Sequence, residues 1–304
     1  MDTRNATKRN DTSDGSGKKS GIDASGRMRL ACSVACAAGL GLFASHAQAQ
    51  RAGDNVVTLG WFHIMPQDSS TPMTTHVTPQ PIDTPLRLPS AFTSDGTGLS
   101  TSGADTLGLV ISHFLTDHIA LTTVAGVPPT FKIRGRGSIV PPGPAGALGT
   151  ENLDDPANEP IVKSVRQWSP AMMIQYYFNS ATARFRPFVG IGISYNFFTN
   201  LELNPNFVTS TQNNLGSVLA AGAAKPGVTN VSAKASPSWA PVFNAGASYD
   251  FTQHWGVSAS VTYIPLKTRS TVYVRAADGT VLGTTQSELT ADPIITYVAL
   301  SYKF

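Results

Sequence analysis

Charged residues are scarce in this chain: only 13% of its 304 residues are Asp, Glu, Lys or Arg, about half the share found in an ordinary soluble protein. A soluble protein needs more charge than this to cover its surface. The formal net charge of +3 partly reflects a basic N-terminal segment, so it gives no reason to expect a nucleic-acid partner. The composition therefore disfavours a soluble globular protein.

Long apolar runs are missing as well. No run reaches the roughly 18 apolar residues of a membrane-spanning helix, and the longest uncharged candidate, residues 30–45, is too short. Two arginines precede this run, and the small-x-small motif AQA follows it at 47–49, which is typical of a secretory signal peptide. The alternative is a buried core helix. We predict that residues 1–49 are a signal peptide with a polar N-terminal extension and that residues 50–304 form an outer-membrane β-barrel.

Cysteine is confined to the predicted signal peptide, at Cys32 and Cys36. The mature chain therefore has neither a disulfide nor a thiolate metal site. The polar stretch before the apolar run is long for a signal peptide, which leaves open whether translation starts at Met1 or at Met28.

The mature part is instead rich in alternation, with apolar residues at every second position and no 3.6-residue period. Eight such runs predict eight strands, at residues 54–65, 104–115, 118–133, 163–178, 186–203, 236–251, 254–275 and 290–304.

The connections between these strands alternate in length. Three are long, at 66–103, 134–162 and 204–235, and three are short turns, at 116–117, 179–185 and 252–253. The seventh is intermediate and carries the tight-turn signal Asp278-Gly279. This alternation predicts an all-β fold, an eight-stranded antiparallel transmembrane β-barrel with long extracellular loops and both termini in the periplasm.

The two faces of each predicted strand differ in polarity, as expected for a strand with lipid on one side. In the fifth strand Val189 and Ile191 share one face, and Gly190 and Gly192 share the other. Apolar residues outward and small or polar residues inward indicate lipid outside and a lumen inside.

Aromatic residues cluster at the predicted strand ends. An interface belt on the periplasmic rim is predicted to contain Tyr176, Phe178, Tyr249, Phe251, Trp255, Tyr302 and Phe304. Trp168, Phe197, Trp239 and Tyr263 lie towards the opposite ends. Two such bands are typical of the two membrane interfaces. The long loops are rich in Pro, Thr, Ser, Asn and Gly, so we expect them to lack a core of their own and to be mobile or to pack as lids.

Several segments resemble the outer membrane protein W (OmpW) family. They are residues 114–119 (FLTDHI), 167–170 (QWSP) with 175–178 (QYYF), 186–195 (RPFVGIGISY), Ser238-Trp239, and Asp292-Pro293 through to 302–304 (YKF). The run from Arg186 to Tyr195 is the most specific of these. The resemblance covers most of residues 54–304 outside the long loops.

The resemblance implies a narrow, largely apolar interior that passes small hydrophobic molecules inward, with a bulky apolar pair constricting the lumen. The matching positions are Val124 and Thr262, which are smaller or more polar than the family pattern, so Met173 and Tyr177 are further candidates. Together with the inward parity of the strands, this predicts a channel lining of Thr122, Val124, Met173, Gln175, Tyr177 and Thr262.

No motif for catalysis or cofactor binding stands out. A hydrolytic triad built on His63 or His76, with Asp68 or Asp83 and a serine, has no local motif to support it. His113 and His118 lack a nearby third metal ligand. We therefore predict no enzymatic activity, no metal and no cofactor.

Two functions of different class remain. The barrel is either a passage or binding pocket for small hydrophobic molecules, or an anchor that presents its loops to other surfaces. A plugged anchor should fill its lumen with charged residues, and the predicted inner faces are mostly uncharged, which favours the passage. The expected partners are outer-membrane lipids, small hydrophobic molecules, and the periplasmic chaperones and barrel-assembly machinery that recognise a terminal aromatic residue such as Phe304.

Overall fold

The structure is a computed structural model that describes residues 50–79, 81 and 88–304. The predicted signal peptide therefore lies outside the described residues, as do both candidate start sites. The strands are β1 (Asn55–Met65), β2 (Ser69–Ser70), β3 (Met73–Val77), β4 (Ala91–Ser94), β5 (Gly98–Thr101), β6 (Ala104–Phe114), β7 (Ile119–Gly126), β8 (Thr130–Arg136), β9 (Ser138–Ile139), β10 (Glu151–Asn152), β11 (Val162–Trp168), β12 (Ala171–Tyr177), β13 (Phe185–Leu203), β14 (Asn230–Ala235), β15 (Ser238–Asp250), β16 (Trp255–Tyr263), β17 (Lys267–Arg275), β18 (Val281–Thr290) and β19 (Ile294–Lys303).

Short helical segments lie in the second and third long connections. They are a 3-10 turn (Gly143–Ala145), α1 (Gly146–Gly149), α2 (Pro205–Thr211), a π-helical turn (Gln212–Gly216) and α3 (Ser217–Gly222). In the described part of the chain, no helix has the length and apolar character needed to cross a bilayer.

Eight of the strands close into an antiparallel barrel. The order around the ring is β1, β6, β7, β12, β13, β15, β16 and β19, and β19 pairs with β1. Closure removes the free strand edges. In lipid, the backbone N–H and C=O groups of a free edge would have no hydrogen-bond partners. The predicted eight-stranded barrel is confirmed.

The faces of the fifth barrel strand are as the alternation predicts. Val189, Ile191 and Ile193 of β13 are exposed on the outside, whereas Ser194 and Asn196 are buried. Outward apolar side chains can contact lipid without the desolvation cost that polar groups would bear.

Three of the predicted strands are interrupted. Residues 127–129 separate β7 from β8, residues 169–170 separate β11 from β12, and residues 264–266 separate β16 from β17. Each interruption contains proline, which has no amide hydrogen for the sheet ladder. The prediction of one continuous strand in each place is therefore wrong. The breaks were missed because the alternation of side chains continues on both sides of them.

The seventh connection also differs from the prediction. Residues 281–290 form β18, which pairs with β17 around the Asp278-Gly279 turn, and the last barrel strand begins only at Ile294. Gly279 has a φ of 86°, a conformation that favours glycine. The turn signal is real, but it joins two long strands outside the membrane barrel.

Beyond the barrel lies an outer extension, which comprises β2–β5, β8–β11, β14, β17, β18 and the helical segments. It contains the described residues of the long connections together with parts of three predicted strands. Its apolar core includes Leu153, Phe207, Leu215, Val218 and Leu219, all nearly inaccessible to solvent. The expectation that these connections lack a core of their own is wrong. Their apolar residues are irregularly spaced in sequence and come together only through contacts between different connections.

Candidate functional site

An apolar cavity of about 290 Å³ lies in the outer half of the barrel. Six barrel residues on its inner wall are Phe62, Val124, Met173, Val242, Thr262 and Ile295. Phe62 packs over Gly108, where a Cβ would lie 1.9 Å from its ring, and stacks on Tyr297 at 4.2 Å between ring centroids. Large side chains thus come from β1 and β19, and a glycine on β6 makes room for them.

The cavity continues to the outer surface just beyond the paired parts of β7 and β12, where residues 127–129 and 169–170 lie beside each other. We call this opening in the barrel wall the gap between β7 and β12. The lining of the cavity includes Leu107, Val127 and Trp168, whose side chains are exposed on the outer surface. The gap arises where the Pro128-Pro129 and Ser169-Pro170 segments interrupt neighbouring strands. Because proline removes a hydrogen-bond donor, the ladder cannot run through this level.

The backbone around the gap is nevertheless hydrogen-bonded. Val127 N donates to Leu107 O at 3.0 Å, and Gln167 N donates to Pro129 O at 3.0 Å. Tyr195 N donates to Pro170 O at 3.1 Å. Exposed backbone groups are costly in lipid, so these bonds let the gap persist at membrane depth.

A layer of hydrogen-bonded side chains closes the barrel below the cavity. Thr122 Oγ1 donates to Gln175 Oε1 at 2.7 Å, and Gln175 Nε2 donates to Asn244 Oδ1 at 2.8 Å. Asn244 Nδ2 donates to Thr262 Oγ1 at 2.8 Å, and Ser112 Oγ lies 2.9 Å from Thr122 Oγ1. These bonds join five barrel strands along the inner wall, and Ser112, Thr122, Gln175 and Asn244 are buried, so solvent has little access to this level of the lumen.

A second closing layer lies beneath the first and contains Arg186. Its guanidinium is fully buried and donates to the carbonyl oxygens of Gln50 (2.9 Å), Phe178 (3.4 Å) and Asp117. It also lies 5.2 Å from the ring of Tyr177 and 5.7 Å from that of Phe114, within cation–π range. A buried charge needs such partners to offset its desolvation.

The six predicted lining residues fall into two groups. Val124, Met173 and Thr262 line the cavity, and Thr262 also belongs to the polar layer through its hydrogen bond from Asn244. Thr122, Gln175 and Tyr177 are buried in the closing layers below it, where Tyr177 Oη donates to Gln175 Oε1 at 3.3 Å. All six side chains face the interior, and their depth along the barrel separates the two groups.

Several site residues escaped the sequence reasoning. Arg186 and Asp250 are charged and buried at the periplasmic end, whereas the predicted inner faces are mostly uncharged. Asn244 of β15 links two halves of the polar layer. The signal for Arg186 was present, since an arginine opening an otherwise apolar strand is unusual in a membrane protein.

Five of the seven aromatic residues of the predicted periplasmic belt contact another belt residue on the outer surface. Tyr176 meets Phe178 edge to face at 5.1 Å, and Tyr302 meets Trp255 and Phe304 at 4.8 Å each. At the opposite end Trp168 stacks on Phe197 at 6.0 Å. We call the residues Trp168, Phe197 and Trp239 the outer aromatic band.

His63, one of the two histidines considered for a hydrolytic triad, has an acidic partner that was not among the candidates. His63 Nδ1 lies 2.7 Å from Asp105 Oδ1 on the exposed surface, and Asp83 lies outside the described residues. Over residues 50–79, 81 and 88–304, no group of three or more His, Cys, Asp and Glu side chains is placed to hold a metal ion.

A second, smaller cavity of about 30 Å³ lies in the outer extension, and Glu151 and Thr211 are among its lining residues. Glu151 is fully buried. Its Oε2 accepts from Asn214 Nδ2 at 3.3 Å, whereas its Oε1 has no partner among the described residues. Burial raises the pKa of this carboxyl to about 7, against the opposing effect of hydrogen bonds from Ser210 and Asn214.

A closed eight-stranded barrel with an apolar outer surface and two aromatic bands defines the class: this is a β-barrel of the bacterial outer membrane. The chain belongs to the OmpW family, whose model matches residues 53–304. It is 27% identical over 256 residues to outer membrane protein W of Vibrio cholerae serotype O1, covering 84% of this chain and 91% of that protein.

Two further similarities are informative. Outer membrane protein AlkL of Ectopseudomonas oleovorans is 28% identical over 207 residues, covering 68% of this chain and 69% of that protein. The crystal structure of outer membrane protein OprG from Pseudomonas aeruginosa aligns with a TM-score of 0.61 at 19% identity, covering 84% of this chain and 98% of that one. The similarity to OprG supports the fold.

Proposed function

We propose that the barrel takes up small apolar molecules into its cavity and releases them sideways into the membrane through the gap between β7 and β12. The observation that carries this proposal is one continuous apolar cavity whose lining includes both inward Met173 and outward Leu107. The family resemblance, which implies passage of small hydrophobic molecules, points in the same direction.

The size of the cavity limits its ligands. Its volume of about 290 Å³ lies near the lower end of the roughly 300–1,000 Å³ range of ligand pockets. An apolar cavity of about 150 Å³ holds benzene. We therefore expect ligands of one or two rings, or short hydrocarbon chains, in preference to larger lipids.

The closing layers favour a sideways route over a straight one. A solute moving towards the periplasm would have to break the bonds of Gln175 and then displace Arg186, leaving buried polar groups unpaired. Each such group costs about 1–3 kcal/mol. The gap at Val127 presents an apolar solute with apolar surface and no comparable barrier.

The anchor function remains the second candidate, because the lower barrel is plugged by a buried charge and the outer extension has a core of its own. In that case the cavity is a packing defect that carries nothing. The two proposals differ in whether a change confined to the cavity alters uptake.

A charge placed in the cavity tests this difference. Val124→Asp puts a carboxylate on the apolar wall, and an apolar solute would have to strip its hydration, so we expect uptake to fall roughly ten-fold or more. Val228→Asp is the matched control, because Val228 is 73% exposed in the outer extension. Uptake of a radiolabelled apolar solute by cells is the measurement, with equal surface amounts verified. Equal uptake with wild type, with Val124→Asp and without the protein would support the anchor.

We propose in addition that periplasmic chaperones and the barrel-assembly machinery recognise the C-terminal aromatic residue. Phe304 is 70% exposed, although its backbone N–H donates to Asn55 O at 2.9 Å. Its ring is therefore held at the rim and is available for contact. Phe304→Ala should lower the amount of assembled barrel in cells while leaving refolding from urea into detergent unchanged; loss of refolding in detergent would instead indicate a structural role.

A further inference from the structure

Five basic residues share one outward face of the outer extension, just beyond the membrane barrel. We call them the basic face: Lys132, Arg134, Arg136, Lys163 and Arg166. On β8 the three basic residues alternate with Ile133 and Gly135, and all three are exposed. The pairing of Val162 with Ile133 and of Arg166 with Thr130 then turns Lys163 and Arg166 of β11 to the same side.

The positive charge of this face is largely uncompensated. Glu159 lies 3.7 Å from Arg134, whose side chain is still 74% exposed. Glu202 of β13 lies opposite Ser164, next to Lys163. Within the described ranges, no carboxylate lies within 4.0 Å of the charged groups of Lys132, Arg136, Lys163 or Arg166. Two acidic residues among five basic ones leave a net positive surface.

Three basic residues elsewhere in the outer extension each have an acidic or aromatic neighbour. Arg269 lies directly opposite Glu288 in the β17–β18 pair. Arg275 covers the ring of Tyr273 at 4.8 Å, and Lys225 Nζ lies 2.6 Å from Asp278 Oδ2. The basic face therefore concentrates five basic side chains on the paired strands β8 and β11, and among the described residues Glu159 is the one carboxylate within 4.0 Å of their charged groups.

The height of the basic face fits the headgroup region of the outer leaflet. Trp168 belongs to the outer aromatic band, which marks the membrane interface. Arg166 lies two residues further out on the same strand, which corresponds to about 7 Å at the usual rise per strand residue. Lys163 and Lys132 lie beyond it. Phosphate groups on the sugars of an outer-leaflet glycolipid occupy this level.

We propose that the basic face binds the phosphate groups of the phosphorylated glycolipid that forms the outer leaflet of the outer membrane. Arginine can hold a phosphate through two parallel hydrogen bonds, and lysine contributes a point charge. Clustered basic residues next to a membrane bind anionic headgroups through the same attraction. The acyl chains of a bound glycolipid lie beside Trp168 and Val127, over the gap between β7 and β12. This proposal does not depend on uptake of apolar solutes.

A binding titration with charge variants tests the proposal. The full-length protein is refolded in nanodiscs of zwitterionic lipid and titrated with diphosphorylated lipid A, while Trp fluorescence and native mass spectrometry report binding. The triple variant Lys132→Gln, Lys163→Gln, Arg166→Gln should bind about ten-fold more weakly or worse, because each basic side chain adds to the attraction. The matched control is Lys234→Gln, Lys267→Gln, Arg269→Gln, which removes three exposed charges elsewhere in the outer extension and should bind within about two-fold of wild type.

Two further measurements distinguish binding of the lipid's phosphate groups from binding of its acyl chains or of free phosphate. Lipid A stripped of both phosphates should bind the wild type as weakly as diphosphorylated lipid A binds the triple variant. Inorganic phosphate at millimolar concentration should not displace the lipid, since the surface engages several phosphates of one membrane. Equal affinity of wild type and triple variant for diphosphorylated lipid A, or equal loss in both triple variants, would overturn the proposal. A triple variant of the basic face that carries Arg166→Lys in place of Arg166→Gln should recover part of the affinity.

Discussion

Arg186 is the residue whose removal should most change the closed end of the barrel. Its fully buried guanidinium contacts the carbonyl oxygens of Gln50, Phe178 and Asp117, which lie far apart in sequence. Arg186→Ala leaves these acceptors without donors and opens space beneath Tyr177. Removing one partner of a buried charged network costs about 3–5 kcal/mol. Water can reach this end from the periplasm, so we expect the lower part of that range.

The assay is urea unfolding of the refolded barrel in lipid vesicles, followed by Trp fluorescence, with ion conductance in planar bilayers as a second readout. Arg186→Ala should unfold at a lower urea concentration and should conduct small ions more often than the wild type. Arg51→Ala is the control, because Arg51 is an exposed arginine at the same end of the chain. If both variants unfold within about 0.5 kcal/mol of the wild type, the guanidinium does not hold this end together.

Three further predictions concern the outer extension and export. Because burial raises the pKa of Glu151 to about 7 from 4.5, its folded form takes up a proton that the unfolded form has lost. Glu151 should therefore contribute its full stabilisation below about pH 4.5, and up to about 3 kcal/mol of this contribution should be lost as the pH rises through 7. Hydrogen exchange of residues 207–215 measures this, and Glu151→Gln should abolish the dependence; an unchanged dependence refutes it. N-terminal sequencing of the membrane fraction should start at Gln50, and a retained 30–45 segment contradicts cleavage. A cysteine at Val228 should react with an impermeant maleimide on intact cells and a cysteine at Gln253 should not; the reverse pattern inverts the topology.

The barrel strands could be predicted because a two-residue period records directly which side chains face lipid. The proline breaks at 127–129 and 169–170 could not be located as a gap, because the alternation of apolar residues continues on either side of them. Only the pairing of β7 with β12, and separately of β8 with β11, shows that two breaks lie beside each other.

Strand parity predicts on which face of the barrel wall a side chain lies, but it carries no information on depth along the barrel. Val124 and Gln175 both face inward by parity, yet one lines the cavity and the other closes the barrel beneath it. The contact between Arg186 and Gln50 spans 136 positions in sequence, and only barrel closure brings them together. The core around Leu153 and Phe207 likewise forms from separate connections, so no local sequence pattern predicts it.

The most direct test of the central claim is to locate an apolar solute inside the protein. Methyl-labelled, otherwise deuterated protein in deuterated lipid nanodiscs is mixed with a protonated two-ring hydrocarbon, and intermolecular nuclear Overhauser effects are recorded. We predict contacts to the methyl groups of Met173 and Val127, at the cavity and the gap. We predict none to Val56, which is buried with Tyr177 in the closing layer. Contacts to Val56, or none to Met173, would contradict a cavity that opens sideways.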